Sequence, residues 1–295
     1  PSPSVIPPAP TPDGPNAKPP VWPLPDEPAP AAPPRKARLP MLDPAARPAD
    51  AAFVNEIEAP WANLLPRPAD APVFHIGRGP ATEPVYPTLA AAAAAAAAGR
   101  AAVLEIDDDG PLFETSTAFT DRQLILCAGK GFRPFVVWDV ARPAKDGGPP
   151  NAFLTVARGG LRLENLDVAF TQPESAAGGL TLLDVRDADL SVEGCTFSLA
   201  GRPREGTVLA RFHGTRPDSA LCRFTRCYAR GPGLIALDVD APGAAALIDR
   251  SLIAGGDSPL LRVRADDARS TKLTVVRSTL VCGRTLLDVR RSAAD

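Results

Sequence analysis

The sequence predicts an all-β chain wound into a right-handed parallel β-helix of about six coils. An alanine-rich capping helix leads into it, and a proline-rich disordered tail precedes it. Three observations carry this prediction. Half of the 36 prolines fall in the first 50 of 295 residues. Alanine fills every position from 90 to 98. Beyond residue 120, short stretches of alternating apolar residues recur at steps of 29, 32, 24 and 27 residues.

The tail comes first. Proline-rich polar sequence buries too little apolar surface to offset chain entropy, and spaced prolines hold a chain stiff and extended. Residues 1–72 therefore read as a linker. Phe53, Ile57, Trp61, Leu64 and Leu65 give its last part the anchors of a docking arm. The chain begins at Pro1 without a methionine, which points to sequence upstream. Residues 73–295 are long enough for one sizeable domain.

The domain opens with a helix over 88–98. Pro87 suits a first turn, alanine is the best helix former, and Gly99 is a good stop. Ala101–Ile106 then reads as a strand. Asp107, Asp108 and Asp109 with Gly110 read as a solvated acidic turn rather than a calcium site, because strand alternation splays consecutive carboxylates apart.

The repeat can be aligned residue by residue. Leu161-Arg-Leu163-Glu-Asn-Leu166-Asp-Val168 matches Leu190–Phe197, Cys222–Ala229, Ala246–Ile253 and Leu273–Leu280. Each copy has two alternating apolar pairs with two polar residues between them. Alternation at period two is a strand with one buried face, and the polar pair is a bend that keeps both inner faces on one side. A further strand precedes each later copy and also closes the chain: Leu183–Val185, Ala210–Phe212, Leu237–Val239, Leu261–Val263 and Leu287–Val289. Three strands per repeat stack as coils about 4.8 Å apart, so each inward position becomes a column.

Tyr86-Pro-Thr-Leu, the alanine run, Gly110–Glu114, then Leu124–Leu126 with Ala128–Gly131, resemble the entry to the pectin-lyase-like right-handed β-helix superfamily. The likeness covers roughly residues 73–295 and implies a helix capping the first coil. It also implies carbohydrate as ligand class and an extracytoplasmic location. Members often stack asparagines at the bend. Here only Asn165 fits, and Gly194, Arg226, Arg250 and Arg277 follow it. The proline-rich lead is similar to that before extracytoplasmic regions of some bacterial membrane-anchored Ser/Thr kinases, though this chain carries no kinase motif.

Function is read from the columns. The outward middle residue of the preceding strand runs Thr155, Asp184, Arg211, Asp238, Arg262, Asp288. Opposite charges alternate, as a ladder that penalises slipped register would require. In carbohydrate-active relatives this outer face often carries the cleft. The residues just beyond are Arg186, His213, Asp240, Arg264 and Arg290, the candidate binding surface for an anionic sugar. No catalytic residue is assigned. A polygalacturonase-like site needs clustered aspartates, and a pectate-lyase-like site needs carboxylates converging on calcium. The register provides neither.

No cofactor and no metal are expected. Two histidines and no CxxC make zinc a poor guess. Cys195 and Cys227 share an inward column and read as buried thiols, though their spacing also permits a disulfide. A net charge of -2 argues against nucleic acid. No apolar run is long enough to span a membrane, although an upstream anchor is compatible with the sequence. The expectation is a non-catalytic binding, sensing or spacer domain. Its partner is carbohydrate, or another protein chain at the uncapped C-terminal end. The alternatives are a polysaccharide lyase or glycoside hydrolase, and the C-terminal regulatory region of a membrane-anchored Ser/Thr kinase.

Overall fold

Each repeat becomes one coil of three short strands, because three corners per repeat fold the alternating apolar residues towards a common axis. The computed structural model describes residues 56–77, 84–142, 151–171, 179–201, 206–214, 220–265 and 271–291. All of them fall in one unit, Asn55–Asp295. The proline-rich segment up to residue 55, including Phe53, lies outside the described residues.

The chain enters through β1 (Val73–Gly77), β2 (Val85–Tyr86) and the helix α1 (Leu89–Ala95). The first coil is β3 (Ala101–Asp107), β4 (Leu112–Glu114) and β5 (Thr117–Thr120). The second is β6 (Gln123–Ala128), β7 (Phe135–Trp138) and β8 (Ala152–Ala157). The third is β9 (Gly160–Glu164), β10 (Asp167–Thr171) and β11 (Thr181–Arg186). The fourth is β12 (Asp189–Glu193), β13 (Thr196–Ala200) and β14 (Thr207–His213). The fifth is β15 (Leu221–Thr225), β16 (Tyr228–Arg230) and β17 (Leu234–Asp240). The sixth is β18 (Ala245–Asp249), β19 (Leu252–Ala254) and β20 (Leu261–Ala265), and the seventh is β21 (Lys272–Val276), β22 (Thr279–Val281) and β23 (Leu287–Arg291).

Each of the strands β1 to β23 joins one of three parallel sheets, which makes the architecture a parallel β-helix. Sheet A runs β2-β1-β3-β6-β9-β12-β15-β18-β21, sheet B β4 to β22, and sheet C β5 to β23. The vertical register is the one aligned from sequence. Leu163, Val192, Phe224, Ile248 and Val275 are successive partners. The described coils number seven, one beyond the six anticipated. The sequence pattern of β3–β5 is too irregular to align with the later copies.

The core is a continuous apolar column from Ile76 and α1 to Val263. Trp138 lies 5.7 Å from both Phe153 and Phe170, ring centre to ring centre. The bend between sheets A and B takes a left-handed backbone in the third to seventh coils: Asn165, Gly194, Arg226, Arg250 and Arg277 have φ of 56, 64, 53, 47 and 47°. Asparagine and glycine suit that conformation, whereas arginine pays roughly 1–2 kcal/mol for it. A second ladder runs just below the bend. Ser278 Oγ accepts from Ser251 N, and Ser251 Oγ from Cys227 N, each at 3.0 Å.

The cap is shorter than expected. The helix spans Leu89–Ala95 rather than 88–98, because Ala96 is already extended at ψ 130° to turn the chain into β3. Thr88 caps its start by accepting from Ala91 N at 3.1 Å. Leu89, Ala92 and Ala93 close the column.

Residues 56–72 form an arm along the outer face of sheet A. It begins beside the sixth and seventh coils, where Glu58 pairs with Arg250 and Arg277. Trp61 and Leu64 pack on Leu247, with Ile57 and Leu65 against the same cluster. Arg223 donates to Trp61 O at 2.9 Å and Arg162 to Leu65 O at 3.1 Å. Arg67 then reaches Glu105, and Ala71 packs on Val103, Ile125 and Cys127. The arm thus climbs the stack back to β1. Among the described residues it does not cover the open end of the last coil, where Leu286, Leu287 and Val289 are exposed.

Candidate binding face

The outer face of sheet C gathers the charged residues singled out from sequence. In register, Thr155 lies opposite Asp184, Asp184 opposite Arg211, Arg211 opposite Asp238, Asp238 opposite Arg262, and Arg262 opposite Asp288. The contacts within this column are uneven. Asp238 Oδ2 accepts from Arg211 Nε at 3.2 Å and lies 3.6 Å from Arg262 Nη1. Arg262 Nε is 3.7 Å from Asp288 Oδ2. Asp184 turns instead to Arg186 on its own strand, at 2.6 Å, and faces His213 Nε2 at 3.5 Å.

Sequence reasoning treated this column as exposed. The structure buries its centre: the Asp184 and Asp238 side chains are 6% and 3% exposed. Guanidiniums of Arg186, and of Arg211 and Arg262, lie against these carboxylates. Asp184 Oδ1, Asp238 Oδ1, Arg262 Nε and Thr155 Oγ1 are buried without a hydrogen-bond partner.

The second row lies one residue pair further along the strands. Arg186 is opposite His213, His213 opposite Asp240, and Arg264 opposite Arg290. Arg264 Nη1 donates to Asp240 Oδ2 at 3.0 Å, and Arg290 Nε to Asp288 Oδ2 at 2.8 Å. All five are at least partly exposed. They occupy five consecutive coils, a straight stripe about 19 Å long at the strand spacing. Each described aspartate of these two rows has a basic neighbour.

Other groupings were not foreseen. The arm and sheet A enclose a cavity of about 440 Å³ bordered by Trp61, Glu193, Arg223, Arg226, Asp249 and Arg250. Arg226 pairs with Glu193, and Arg250 Nε with Asp249 Oδ2 at 2.8 Å. Burial pushes Arg223 below the usual guanidinium range, against the pull of Glu193. A smaller cavity of about 370 Å³ lies between α1 and Glu114. Glu114 accepts from Leu89 N at 3.1 Å. Burial raises its carboxyl to about 7, although that bond and Arg142 act to lower it.

Asp107 overturns the expectation of a solvated turn. It ends β3, is 8% exposed, and its Oδ2 sits 2.6 Å from His75 Nδ1. With Glu105 these residues place one ligand atom each within 4.8 Å of one another, the group among the described residues able to hold a metal ion. Neither His75 nor Glu105 stood out in the sequence. Only the pairing of β1 with β3, across the capping helix, sets them opposite each other.

The cysteines are free thiols, four of them buried. Burial pushes Cys195 and Cys222 well above the usual thiol range, and Cys127 and Cys227 to about 11. None of these four buried thiols is poised as a nucleophile.

No helix among the described residues is long and apolar enough to cross a membrane. No family model matches the chain, and no curated protein matches it. Among solved structures, a PL6-family alginate lyase is similar at 11% identity and a TM-score of 0.34. The match covers 76% of this chain and 41% of that lyase, so the chain spans less than half of its length. The assignment of a parallel β-helix rests on the strand register itself.

Proposed function

We propose that the chain is a non-catalytic binding module that holds an extended acidic glycan along the outer face of sheet C. The observation that carries this reading is the straight stripe Arg186, His213, Asp240, Arg264 and Arg290 across five consecutive coils. A linear polymer can follow such a stripe, whereas a compact ligand would use one part of it. With its inner column the face carries five arginines against four aspartates, a surplus guanidinium suited to a uronate carboxylate. The pairing of every aspartate favours binding over chemistry. On this reading the inner column Asp184, Arg211, Asp238, Arg262 and Asp288 holds the coils in register. An extracytoplasmic location goes with a polymeric glycan ligand.

A glycan-array screen followed by calorimetry tests it. Acidic oligosaccharides should bind with an affinity that falls as salt rises, and Arg264→Ala should weaken binding about tenfold. No binding to any acidic glycan, or equal binding by Arg264→Ala, overturns the reading. Shortening of an oligosaccharide by the protein would overturn its non-catalytic part.

A further inference from the structure

We propose that His75, Glu105 and Asp107 bind one borderline divalent cation, of the Zn²⁺ or Mn²⁺ class, which pins the entry strand β1 to the first coil. The site is on sheet A and is independent of the glycan stripe. His75 is in register with Glu105, and Asp107 with Gly77, so the three side chains leave the same outer face of two adjacent strands. His75 and Asp107 are 7% and 8% exposed. This is a side-chain cluster held in place by the sheet, unlike a loose acidic surface.

Three physical arguments converge on a cation. Two carboxylates within 4.8 Å of each other repel, and low exposure weakens the screening. Arg67 lies 3.7 Å from Glu105, and His75 Nδ1 lies 2.6 Å from Asp107 Oδ2. Gly129 supplies the second argument. A Cβ there would lie 1.9 Å from Asp107 Oδ1, so bare backbone is what lets this carboxylate sit beside His75. The donor set supplies the third. One imidazole nitrogen with two carboxylate oxygens suits Zn²⁺ or Mn²⁺, whereas Ca²⁺ and Mg²⁺ prefer oxygen alone. In tetrahedral geometry, metal bonds of about 2.0–2.2 Å set neighbouring ligand atoms about 3.3–3.6 Å apart. His75 Nδ1 and Asp107 Oδ2, at 2.6 Å, need to open by about 0.7–1 Å, and the wider pairs, within 4.8 Å, to close around the ion.

The experiment uses the full chain, stripped with a chelator. ZnCl₂, MnCl₂ and CaCl₂ are titrated by calorimetry and by thermal melting, and CoCl₂ by absorption. The expected result is one equivalent of Zn²⁺ or Mn²⁺, with a rise in melting temperature that Ca²⁺ at equal concentration does not give. His75→Gln and Glu105→Gln should each weaken binding at least tenfold. Cys127→Ser, next to Glu105 in the register, should leave it unchanged. Should His75→Gln fail to fold, the half-buried Glu105→Gln carries the comparison. Absence of stoichiometric binding, an unaltered affinity in these variants, an equal response to Ca²⁺, or a sulfur-to-cobalt charge-transfer band would each overturn the proposal.

Discussion

Replacing Asp238 by alanine removes the carboxylate on which two arginines converge. Asp238 is 3% exposed, while Arg211 and Arg262 are 29% and 16% exposed. Breaking a buried ion pair by deleting one partner costs about 3–5 kcal/mol, because a charge stays buried without compensation. Here both guanidiniums keep some contact with water, and Arg262 keeps Asp288 at 3.7 Å. That lowers the expectation to about 2–3 kcal/mol. For a domain of this size the shift in melting midpoint is about 4–12 °C. Thermal and urea unfolding, followed by circular dichroism, measure it. Asp238→Asn keeps the shape and loses the charge, so it separates electrostatics from packing. Asp238→Arg should cost more still, because three arginines would then adjoin in one column. A midpoint within 1–2 °C of the parent for Asp238→Ala would refute the column as a source of stability.

Glu114 should make stability fall as pH rises. Its carboxyl titrates near 7 in the folded chain against 4.5 for the free group, so between these values the folded state holds the extra proton. The contribution of Glu114 is therefore greatest below about 4.5, declines towards 7, and levels off above it. Glu114→Gln, whose amide oxygen can still accept from Leu89 N, should flatten that decline in pH-dependent melts. Its gain at pH 8 is at most about 3 kcal/mol, and an unchanged slope would contradict the burial argument. Trp61→Ala should release the arm before the coils unfold. The expected signs are rapid proteolysis between residues 56 and 72, with about 3–5 kcal/mol lost from the arm's docking. Gly194→Ala should destabilise by about 1–2 kcal/mol through its left-handed backbone. Its Cβ would also meet Asn165 Oδ1 at 2.4 Å, so a neutral outcome in urea melts would remove the steric account of this bend.

The sequence by itself determined the coils. Side-chain alternation is local, and a repeat fixes which alternate positions share a column. Val192, Phe224, Ile248 and Val275 could therefore be placed one above another without coordinates. The bends were legible for the same reason, as were the outward charges of sheet C. Tertiary structure alone decided what covers those columns. Burial of Asp184 and Asp238 depends on how neighbouring side chains pack, which alternation does not encode. The path of Trp61 and Leu64 over Leu247 joins residues more than 180 positions apart, and no periodicity links them. His75 meets Glu105 and Asp107 only because β1 returns to β3 after the helix, a pairing without a repeat partner in the sequence. Repetition writes the coil into the chain many times over, while a singular long-range contact is written once and becomes visible only when the chain is folded.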